Sequence, residues 1–457
     1  MIFAMKEKTM QVKLTANAAA RLGIAPLMVG MLLAGPCANA QTKEADMKSV
    51  EDKPTAVAEA HVPRITSIKP GGIAIGEEFI PMGEEAQIDQ IVALHRDVQE
   101  KADRKHTPIP RGQHPKQHGL VRAQFIVEPN LPAHLRLGVF SKPQTFQALI
   151  RFSNGRSQND NNRDAHGMAI KLLGVKGEKV LETEQDAQTQ DFIMIDNPIF
   201  FVKNVHDYIP LMKSFHRVAT GNFLTKSLTG LKMLLSPNYK YRLLRAMGSK
   251  RPESPLQVRY WSTTPSRLGP GAMKFSARPD LAGIAPPPKS KSKDKLRLAM
   301  SAHLKQHEAL FDFLVQLQTD PITMPVEDPT VPWDEAAAPF IKVATIRIPI
   351  QSFESKEQME FSENLSFTPW HAVADLRPLG GINRARKEVY EAISARRHEL
   401  NGVLMEEPSL SEMRSEKVDT CQARLEDDAK SFWDSRRTKK AISGTGKKSG
   451  NQTSVRD

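Results

Sequence analysis

The sequence predicts an α+β fold, with an antiparallel β-barrel at the core and helices on its flanks. Residues 119–128, GLVRAQFIVE, alternate apolar and polar side chains, a pattern typical of a half-buried strand. The gaps between the early strands are short, which favours an antiparallel meander over parallel β-α-β units. Such strands can close into a barrel, and closure leaves no exposed strand edge. The other predicted strands are residues 147–153, 167–174, 191–195, 256–263, 272–278 and 341–350.

Helices are predicted before, between and after these strands. Residues 84–104 place apolar side chains on one face at helical spacing, and residues 223–247 contain two further helical stretches. Residues 296–318 carry an apolar stripe at the same spacing, so we expect one continuous helix there. The segment 285–295, rich in proline and lysine, is predicted to be an exposed linker.

The composition describes one large soluble domain, or two, with irregular ends. The chain has 457 residues, of which 40% are hydrophobic and 25% charged, and its formal net charge is +12. Part of this charge lies near the N-terminus and in the C-terminal tail. No basic strand interleaved with aromatic residues lies between them, so nucleic-acid binding is not expected. We expect the main domain to span 80–406, followed by a charged, largely disordered tail over 407–457.

The N-terminus predicts an export signal. A basic stretch is followed by the apolar run LGIAPLMVGMLLAG and then by ANA, which ends at Ala40. We therefore predict a secretory signal peptide over 1–40, a mobile arm over 41–79 and a periplasmic location. A lipid anchor at Cys37 is less favoured because a proline precedes that cysteine. Cleavage after Ala40 would leave Cys421 as the only cysteine, which excludes an intramolecular disulfide.

A guanidinium and a phenol lie one helical turn apart in the stretch GGINRARKEVYEAIS. Arg386 and Tyr390 are four residues apart in a helix-prone segment, so they share a face. One interpretation is an exposed helix surface with an ordinary cation–π contact. The other is metal chemistry, because a fixed positive charge near a tyrosine favours the phenolate that a metal ion binds. The pair alone does not decide between the two.

Three other segments collect side chains that could carry chemistry. The first has Arg111 three positions before His114, just ahead of the first predicted strand. The second begins with RFS at Arg151 and continues with RDAHGMAIK, and the third reads DFIMIDNPIFFVKNVHDYI. A zinc-binding helix formed by His114 and His118 is disfavoured, because a proline and no glutamate follows the first histidine.

In this order the segments resemble the catalases. That family carries an Arg-x-x-His before the first barrel strand, then RFS, an RD-x-x-G-x-A-x-K segment, an N-x-P-x-FF-like segment and an Arg-x-x-x-Tyr helix. KFSARPD, IKVATIRI and SFTPW fall where catalases have later barrel strands and the segment before that helix. The resemblance covers about residues 80–400 and is greatest to the compact, catalase-related branch, since no room remains for the C-terminal extension of large catalases.

The resemblance implies a catalase-like haem fold, haem b (iron) as cofactor and a role for each matching residue. Tyr390 would be the iron ligand, a role taken from the family, and Arg386 would hold it as phenolate. His114 would be the distal acid–base residue, oriented by Ser153. The matching propionate-binding positions are Arg111, Arg151 and Arg397, while Phe200 would lie over the haem and Tyr208 would replace the usual phenylalanine.

The sequence departs from the catalase pattern at several positions. PKQHG follows the distal histidine where catalases read AKG. The position of the distal asparagine falls on Ile195, so we expect Asp196 or Asn197 to supply the polar partner to bound peroxide. Gly155 stands where a valine narrows the main channel, and Asp164 stands at the position of the channel acid. A wider entrance of this kind would admit organic hydroperoxides or reductants.

The expected function is haem-dependent breakdown of hydrogen peroxide in oxidative-stress defence, by disproportionation or with peroxidase activity. Two alternatives stay open: a haem peroxidase or isomerase acting on organic or lipid hydroperoxides, and a haem-binding protein with little turnover. The expected partners are hydrogen peroxide or an organic hydroperoxide. Stable membrane insertion is not expected, and assembly into a homo-oligomer is an open alternative.

Overall fold

The computed structural model describes residues 74–410. The predicted signal peptide, the arm up to residue 73 and the tail beyond residue 410 lie outside this range. Within it, no helix is both long enough and apolar enough to cross a bilayer. The strands are β1 (Gln117–Val127), β2 (Thr145–Asn154), β3 (His166–Leu173), β4 (Thr189–Ile195), β5 (Tyr260–Trp261), β6 (Ser266–Leu268), β7 (Gly271–Pro279), β8 (Ala309–Leu317) and β9 (Ile341–Ile348).

These strands form a closed barrel. Neighbours follow the order β5, β4, β3, β2, β1, β9, β8 and β7, and β5 pairs again with β7. Eight of the strands described here therefore make an antiparallel ring, while β6 is a hairpin partner of β7 outside it. Only the middle of the predicted strand 256–263 joins the ring, where Trp261 pairs with Ile195 and with Ser276. The predicted fold class, an α+β barrel with flanking helices, is confirmed.

The inside of the barrel is filled by aromatic side chains. The rings of Phe125 and Phe313 lie 5.0 Å apart edge to face, and Phe192 lies 4.8 Å from Phe313 and 5.1 Å from Phe275. All four are buried, together with Phe140. Aromatic pairs in these geometries add to the stability that burial of their area provides. The barrel interior is thus a packed core, and a ligand site has to lie outside it.

Strand β1 is buried on both faces, so the expectation of a half-buried strand is wrong. Its inward side chains, such as Val121 and Phe125, belong to the barrel core. Its outward face is covered as well, because Leu120 is buried in a second cluster with Leu149 and Leu365. At Gly119, a Cβ would lie 2.4 Å from the ring of Phe353, so glycine permits this close approach. The polar side chains of β1 therefore lie beneath covering segments.

The helices are α1 (Glu84–Lys101), α2 (Val205–Thr220), α3 (Phe223–Leu235), α4 (Tyr239–Met247), α5 (Lys295–Leu304), α6 (Lys356–Asn364) and α7 (Gly381–Asn401). The predicted helix over 296–318 is wrong beyond its first part. The chain turns after Leu304, and β8 pairs with β7 and β9 on its two sides. In β8, Phe311, Phe313 and Val315 all belong to the barrel core. Their spacing of two residues is that of a strand, although the longer stripe also fits a helix.

Helices α1, α2 and α7 pack together beside the barrel. Ile88 and Ile91 of α1 share one apolar cluster with Met212 of α2 and with Val389 and Ile393 of α7. The side chain of a buried glutamine in α1 also donates to the Ile393 carbonyl across 3.0 Å. This packing fixes the helix that carries the Arg-x-x-x-Tyr motif against the barrel.

Residues at both edges of the described range are tied into the fold. Glu78 accepts from the Arg384 guanidinium at 2.8 Å and from the backbone N–H of Gly380, also at 2.8 Å. Glu407 accepts from Lys171 and from Thr189, each at 2.6 Å. The last described residues of the predicted arm and the first residue of the predicted tail are therefore anchored to the barrel domain.

Candidate functional site

The candidate site is a pocket between the barrel and the helices α1 and α7. The empty space within it measures about 860 Å³, including the part open to solvent. Strands β2, β3 and β4 supply one wall, the segment before β1 supplies the rim, and α7 supplies another wall. Six predicted site residues line this pocket together: Arg111, His114, Arg151, Ser153, Tyr390 and Arg397.

His114 is held at the rim by its backbone. Its φ of +54° lies in the left-handed region, which residues with side chains rarely adopt. The conformation is kept by hydrogen bonds: the His114 N–H donates to the Gly155 carbonyl at 3.2 Å, and the His114 carbonyl accepts from Nη1 of Arg151 at 3.1 Å. Strain of this kind persists where the surroundings determine the conformation, and it is common at functional sites.

The imidazole of His114 is oriented by Ser153. Nδ1 lies 3.1 Å from the serine Oγ. Burial lowers the pKa of His114 to about 4, although the nearby carboxylate of Asp164 acts in the opposite direction. The ring is therefore neutral at neutral pH. In the tautomer whose Nδ1–H donates to Ser153, Nε2 keeps its lone pair, and no residue in the described range hydrogen-bonds to that atom.

Tyr390 faces the pocket from α7, with Arg386 one turn before it. Nη2 of Arg386 donates to the phenol oxygen over 3.4 Å, and the guanidinium carbon lies 5.4 Å from the ring centroid. The other side of the fork donates to Thr264 at 3.0 Å and to Asn383 at 3.1 Å. Two neutral acceptors thus hold the cation beside the phenol without neutralising its charge. The helical spacing also brings Ile393 and Arg397 to the same face as Tyr390.

Three guanidinium groups converge at one end of the pocket. Arg111 donates to the backbone carbonyls of Ser362 and Glu363, each at 3.0 Å, and Arg397 donates to the Glu363 carbonyl at 2.9 Å. The Glu363 carboxylate lies 3.8 Å from Nε of Arg111 and 3.8 Å from Nη2 of Arg151. Burial, and then the repulsion among the arginines, lowers the pKa of Arg111, and burial lowers that of Arg151 to about 10. One carboxylate thus faces three cations.

Several of these buried donors have no hydrogen-bond partner within residues 74–410. They are Nε of Arg111 and both Nε and Nη2 of Arg151. A buried polar group without a partner costs about 1–3 kcal/mol, and more when it is charged. The 3.8 Å distances to Glu363 are too long for hydrogen bonds. The arrangement therefore fits an anionic ligand with acceptor oxygens.

Asp196 and Asn197 do not line the pocket, contrary to the expectation for a polar partner to peroxide. Asp196 accepts from His166 twice, from its backbone N–H at 3.0 Å and from Nδ1 at 2.8 Å. The Asn197 amide donates to the carbonyl of Ile199 at 2.7 Å. Both side chains are used locally in the turn that follows β4. From this strand the pocket is lined by the apolar residues Ile193 and Met194 instead, and the Met194 side chain belongs to the barrel core.

Phe200 and Tyr208 lie in an aromatic cluster next to the pocket, and neither lines it. Phe200 stacks on Phe201 at 4.1 Å, and Tyr208 meets Phe200 edge to face at 6.3 Å. Burial, and then the neighbouring Tyr390, raises the pKa of Tyr208, so its phenol stays protonated. The Arg386–Tyr390 pair and this cluster are therefore close neighbours.

Asp164, expected at the entrance, is used by its own loop. Its carboxylate accepts from the backbone N–H groups of Arg156 at 2.7 Å, Ser157 at 2.6 Å and Ala165 at 2.9 Å. A Cβ at Gly155 would lie 3.0 Å from this carboxylate. The absence of a side chain at Gly155 thus leaves room for the Asp164 carboxylate, which fixes the backbone of residues 156–165 by these hydrogen bonds.

The pocket also contains residues that sequence reasoning missed. His95 of α1 lines it, and its Nδ1 lies 2.9 Å from the Ile91 carbonyl. Burial lowers the pKa of His95, so the ring is neutral, donates from Nδ1–H and keeps a lone pair on Nε2. Its position four residues after Ile91, on the apolar face of α1, was a usable signal. Phe367 also lines the pocket; it lies in the SFTPW stretch but was given no role, and Glu363 carried no motif.

Comparisons with known proteins give a likeness of fold. No family model matches the sequence, and no curated protein matches it. Among solved structures, a fungal catalase superposes with a TM-score of 0.49 at 14% identity, covering 64% of this chain and 60% of that one. A bacterial catalase gives 0.47 at 14% identity, covering 74% of this chain and 64% of that one.

The chain therefore spans less than two thirds of the length of both catalases.

Proposed function

We propose that this protein binds haem b and breaks down hydrogen peroxide in a catalase-like reaction. The observation that carries the proposal is that Tyr390, backed by Arg386, and His114, backed by Ser153, line one pocket. A phenol beside a fixed cation suits an iron ligand, and a neutral imidazole suits proton transfer. The order of these residues along the chain is that of the catalases, which supports the same assignment.

The residues present fit a haem group. Its propionates are carboxylates, and the buried donors of Arg111 and Arg151 that have no partner in the described range would receive them. Arg397 adds a third positive charge, and among residues 74–410 only Glu363 offsets the cluster. The apolar lining residues Ile193, Phe367, Val389 and Ile393 suit the porphyrin ring. Tyr390 would hold the iron through its phenol oxygen, to which Arg386 donates.

Haem iron, when bound, supplies the redox chemistry that divides the oxygen–oxygen bond. The task of the chain is to hold the group and to move a proton. Nε2 of His114 accepts a proton from one peroxide oxygen and returns it to the departing oxygen. Ser153, whose Oγ lies 3.1 Å from Nδ1, would hold the ring in the tautomer with the lone pair on Nε2 by accepting from Nδ1–H.

A second candidate function is favoured by the apolar wall from β4. With Ile193 and Met194 in the pocket and Asp196 bonded to His166, this wall offers no side-chain donor to the second peroxide oxygen. Loss of one preorganised donor typically costs about 10²–10³ in rate. The same wall suits an alkyl chain. Peroxidase or isomerase chemistry on organic or lipid hydroperoxides is therefore the alternative. If neither reaction occurs, the protein would be a haem carrier with little turnover.

The test is reconstitution of the purified protein with hemin, followed by an absorption spectrum and an oxygen-electrode trace. The proposal expects a Soret band with the charge-transfer features of a phenolate ligand, and oxygen release on addition of hydrogen peroxide. A loaded protein that releases no oxygen but oxidises a small phenol, or converts a lipid hydroperoxide, would support the alternative. A protein that stays colourless after hemin is added would contradict both the catalase-like proposal and the alternative.

The periplasmic location is also proposed, on the pattern of the first forty residues. Fractionation of expressing cells tests it, because the processed protein is then released with the periplasmic contents. Retention of the full-length chain in the cytoplasm would contradict it.

A further inference from the structure

Helix α3 turns its apolar face to solvent. Leu224, Leu228 and Leu235 are 63%, 60% and 70% exposed, and none of the helix's residues is buried. At 3.6 residues per turn the exposed apolar side chains lie within one arc about 140° wide, which also contains the half-buried Ser227. This face consists of Phe223, Leu224, Leu228, Leu231, Leu234 and Leu235.

The side of α3 that meets the protein is the more polar one. Thr225, Thr229 and Gly230 are half-buried there, and Met233 packs against a cluster that includes Tyr241 of α4. A surface helix ordinarily shows the reverse arrangement, with its apolar side inward. The amphipathic pattern of α3 is thus inverted.

The helix is nevertheless firmly built. The Asn222 side chain accepts from the Thr225 N–H at 2.9 Å and caps the N-terminus. At the other end, Arg245 of α4 donates to the carbonyls of Met233 at 2.7 Å and Ser236 at 3.1 Å. Both ends are therefore held in place while the apolar face stays uncovered by the described part of the chain.

The surroundings of this face are strongly basic. Residues 221–250 contain four lysines, two arginines and neither aspartate nor glutamate. Lys226 and Lys232 lie at the two edges of the apolar face and are exposed, as is Arg242 of α4. Lysines in this position can bury their aliphatic stems while the ammonium groups reach toward anions.

We propose that α3 lies in the interface of an anionic lipid surface. Leucine and phenylalanine on one face with lysines at its edges is the composition of helices that lie in a membrane plane. The charge argues against a second copy of this chain, because a symmetric pairing would bring the lysine-edged faces together. With 13 residues, about 20 Å long, the helix is too short to span a bilayer and would lie along its surface.

This inference does not depend on haem or on peroxide chemistry. It places the protein at a lipid surface through residues outside the pocket. Where the two proposals both hold, oxidised lipids are brought near the site, but each can fail without the other.

The experiment is co-sedimentation of the full protein with vesicles of phosphatidylglycerol mixed with phosphatidylcholine, and with vesicles of phosphatidylcholine alone. Binding is expected to the anionic vesicles and to weaken with salt. The test variant is Leu224→Gln/Leu228→Gln/Leu235→Gln, expected to lower partitioning by about tenfold or more. The matched control replaces three equally exposed apolar residues outside α3: Leu281→Gln/Ile322→Gln/Leu404→Gln.

The proposal is supported if the wild type and the control bind while the α3 variant does not. It is overturned if the wild type does not bind, as expected if another part of the chain covers the face. It is overturned equally if the α3 variant binds as well as the wild type. Light scattering adds a third contradiction: a wild-type dimer that becomes monomeric in the α3 variant, without vesicle binding, would make the face a self-association surface.

Discussion

The imidazole of His114 rests on the backbone of Gly167. A Cβ built at Gly167 would lie 2.6 Å from Nδ1 of His114 and 2.8 Å from Oγ of Ser153. Both distances are far below van der Waals contact. Glycine at this position in β3 therefore makes room for the hydrogen-bonded pair that orients Nε2 toward the pocket.

Gly167→Ala should lower the rate of peroxide decomposition, because the added methyl displaces the ring from its orientation. Misplacement of a catalytic group by an ångström can cost about 10²-fold in rate. Haem content of the variant should stay near that of the wild type. Gly283→Ala is the matched control, since a Cβ there meets nothing within 4 Å. Equal rates in both variants would show that the ring does not depend on this contact.

Tyr390→Phe should abolish haem retention or remove the phenolate charge-transfer bands, because the ligand oxygen is lost. Absorption after hemin titration and gel filtration measures both. Tyr239→Phe is the control, since Tyr239 bonds to Asp207 outside the pocket. An unchanged spectrum in the Tyr390 variant would remove the ligand assignment.

His114→Ala should keep haem but lose peroxide reactivity, as seen in stopped-flow traces of the loaded protein. In the wild type, a base with a pKa of about 4 stays neutral well below the ordinary 6.5. In a plot of the peroxide reaction rate against pH, the rate should therefore fall on the acid side with a midpoint near pH 4. A midpoint near 6.5, or full activity in the alanine variant, would contradict the role.

Arg397→Met should weaken haem binding by about tenfold or more, because hydrogen bonds to charged groups contribute about 1.5–3 kcal/mol. Its neighbour Arg396 is the control: it pairs with Glu100 and Glu399 at the surface, so Arg396→Met should bind haem as the wild type does. Glu363→Gln should act in the opposite direction and strengthen binding, because it removes the carboxylate that competes for the guanidinium groups. Hemin titration followed by fluorescence quenching ranks the three.

His371 should make stability depend on pH. Burial, and then Lys171, would lower its pKa, but the carboxylates of Asp191 and Glu184 outweigh both and raise it to about 9. Because this value exceeds the unfolded value of 6.5, the contribution is complete below pH 6.5 and is lost as the pH rises through about 9. The loss should amount to a few kcal/mol, on the order of 1.4 kcal/mol per pKa unit. Urea unfolding across this range measures it, and His371→Asn should flatten the slope.

The sequence predicted most of the barrel because its strands alternate strongly or carry compact apolar runs. It failed at β8, where Leu304, Phe311 and Leu314 fit helical spacing as well as Phe311, Phe313 and Val315 fit a strand. No glycine, proline or asparagine marks the turn at residues 305–308. Pairing with β7 and β9 decides the conformation, and such long-range pairing is not visible in a local pattern.

The site was partly predictable for a similar reason. Arg386 and Tyr390 share a helix face by their spacing alone, and His114 and Ser153 were found by motif order. Asp196 was misplaced, because its preference for His166 comes from a contact between β3 and the turn after β4. The part played by Glu363 depends on the arrangement of three distant arginines, which no spacing along the chain reveals.

The two-residue strand β5 is the seam of the barrel. It shares one registered pair with β4 and two with β7, whereas β2 and β3 share eight. Local opening begins where cross-strand bonds are fewest, so backbone amides here should exchange with deuterium sooner than those of β2. Trp261 lies in this seam, so its fluorescence should report local opening of the barrel between β4 and β7.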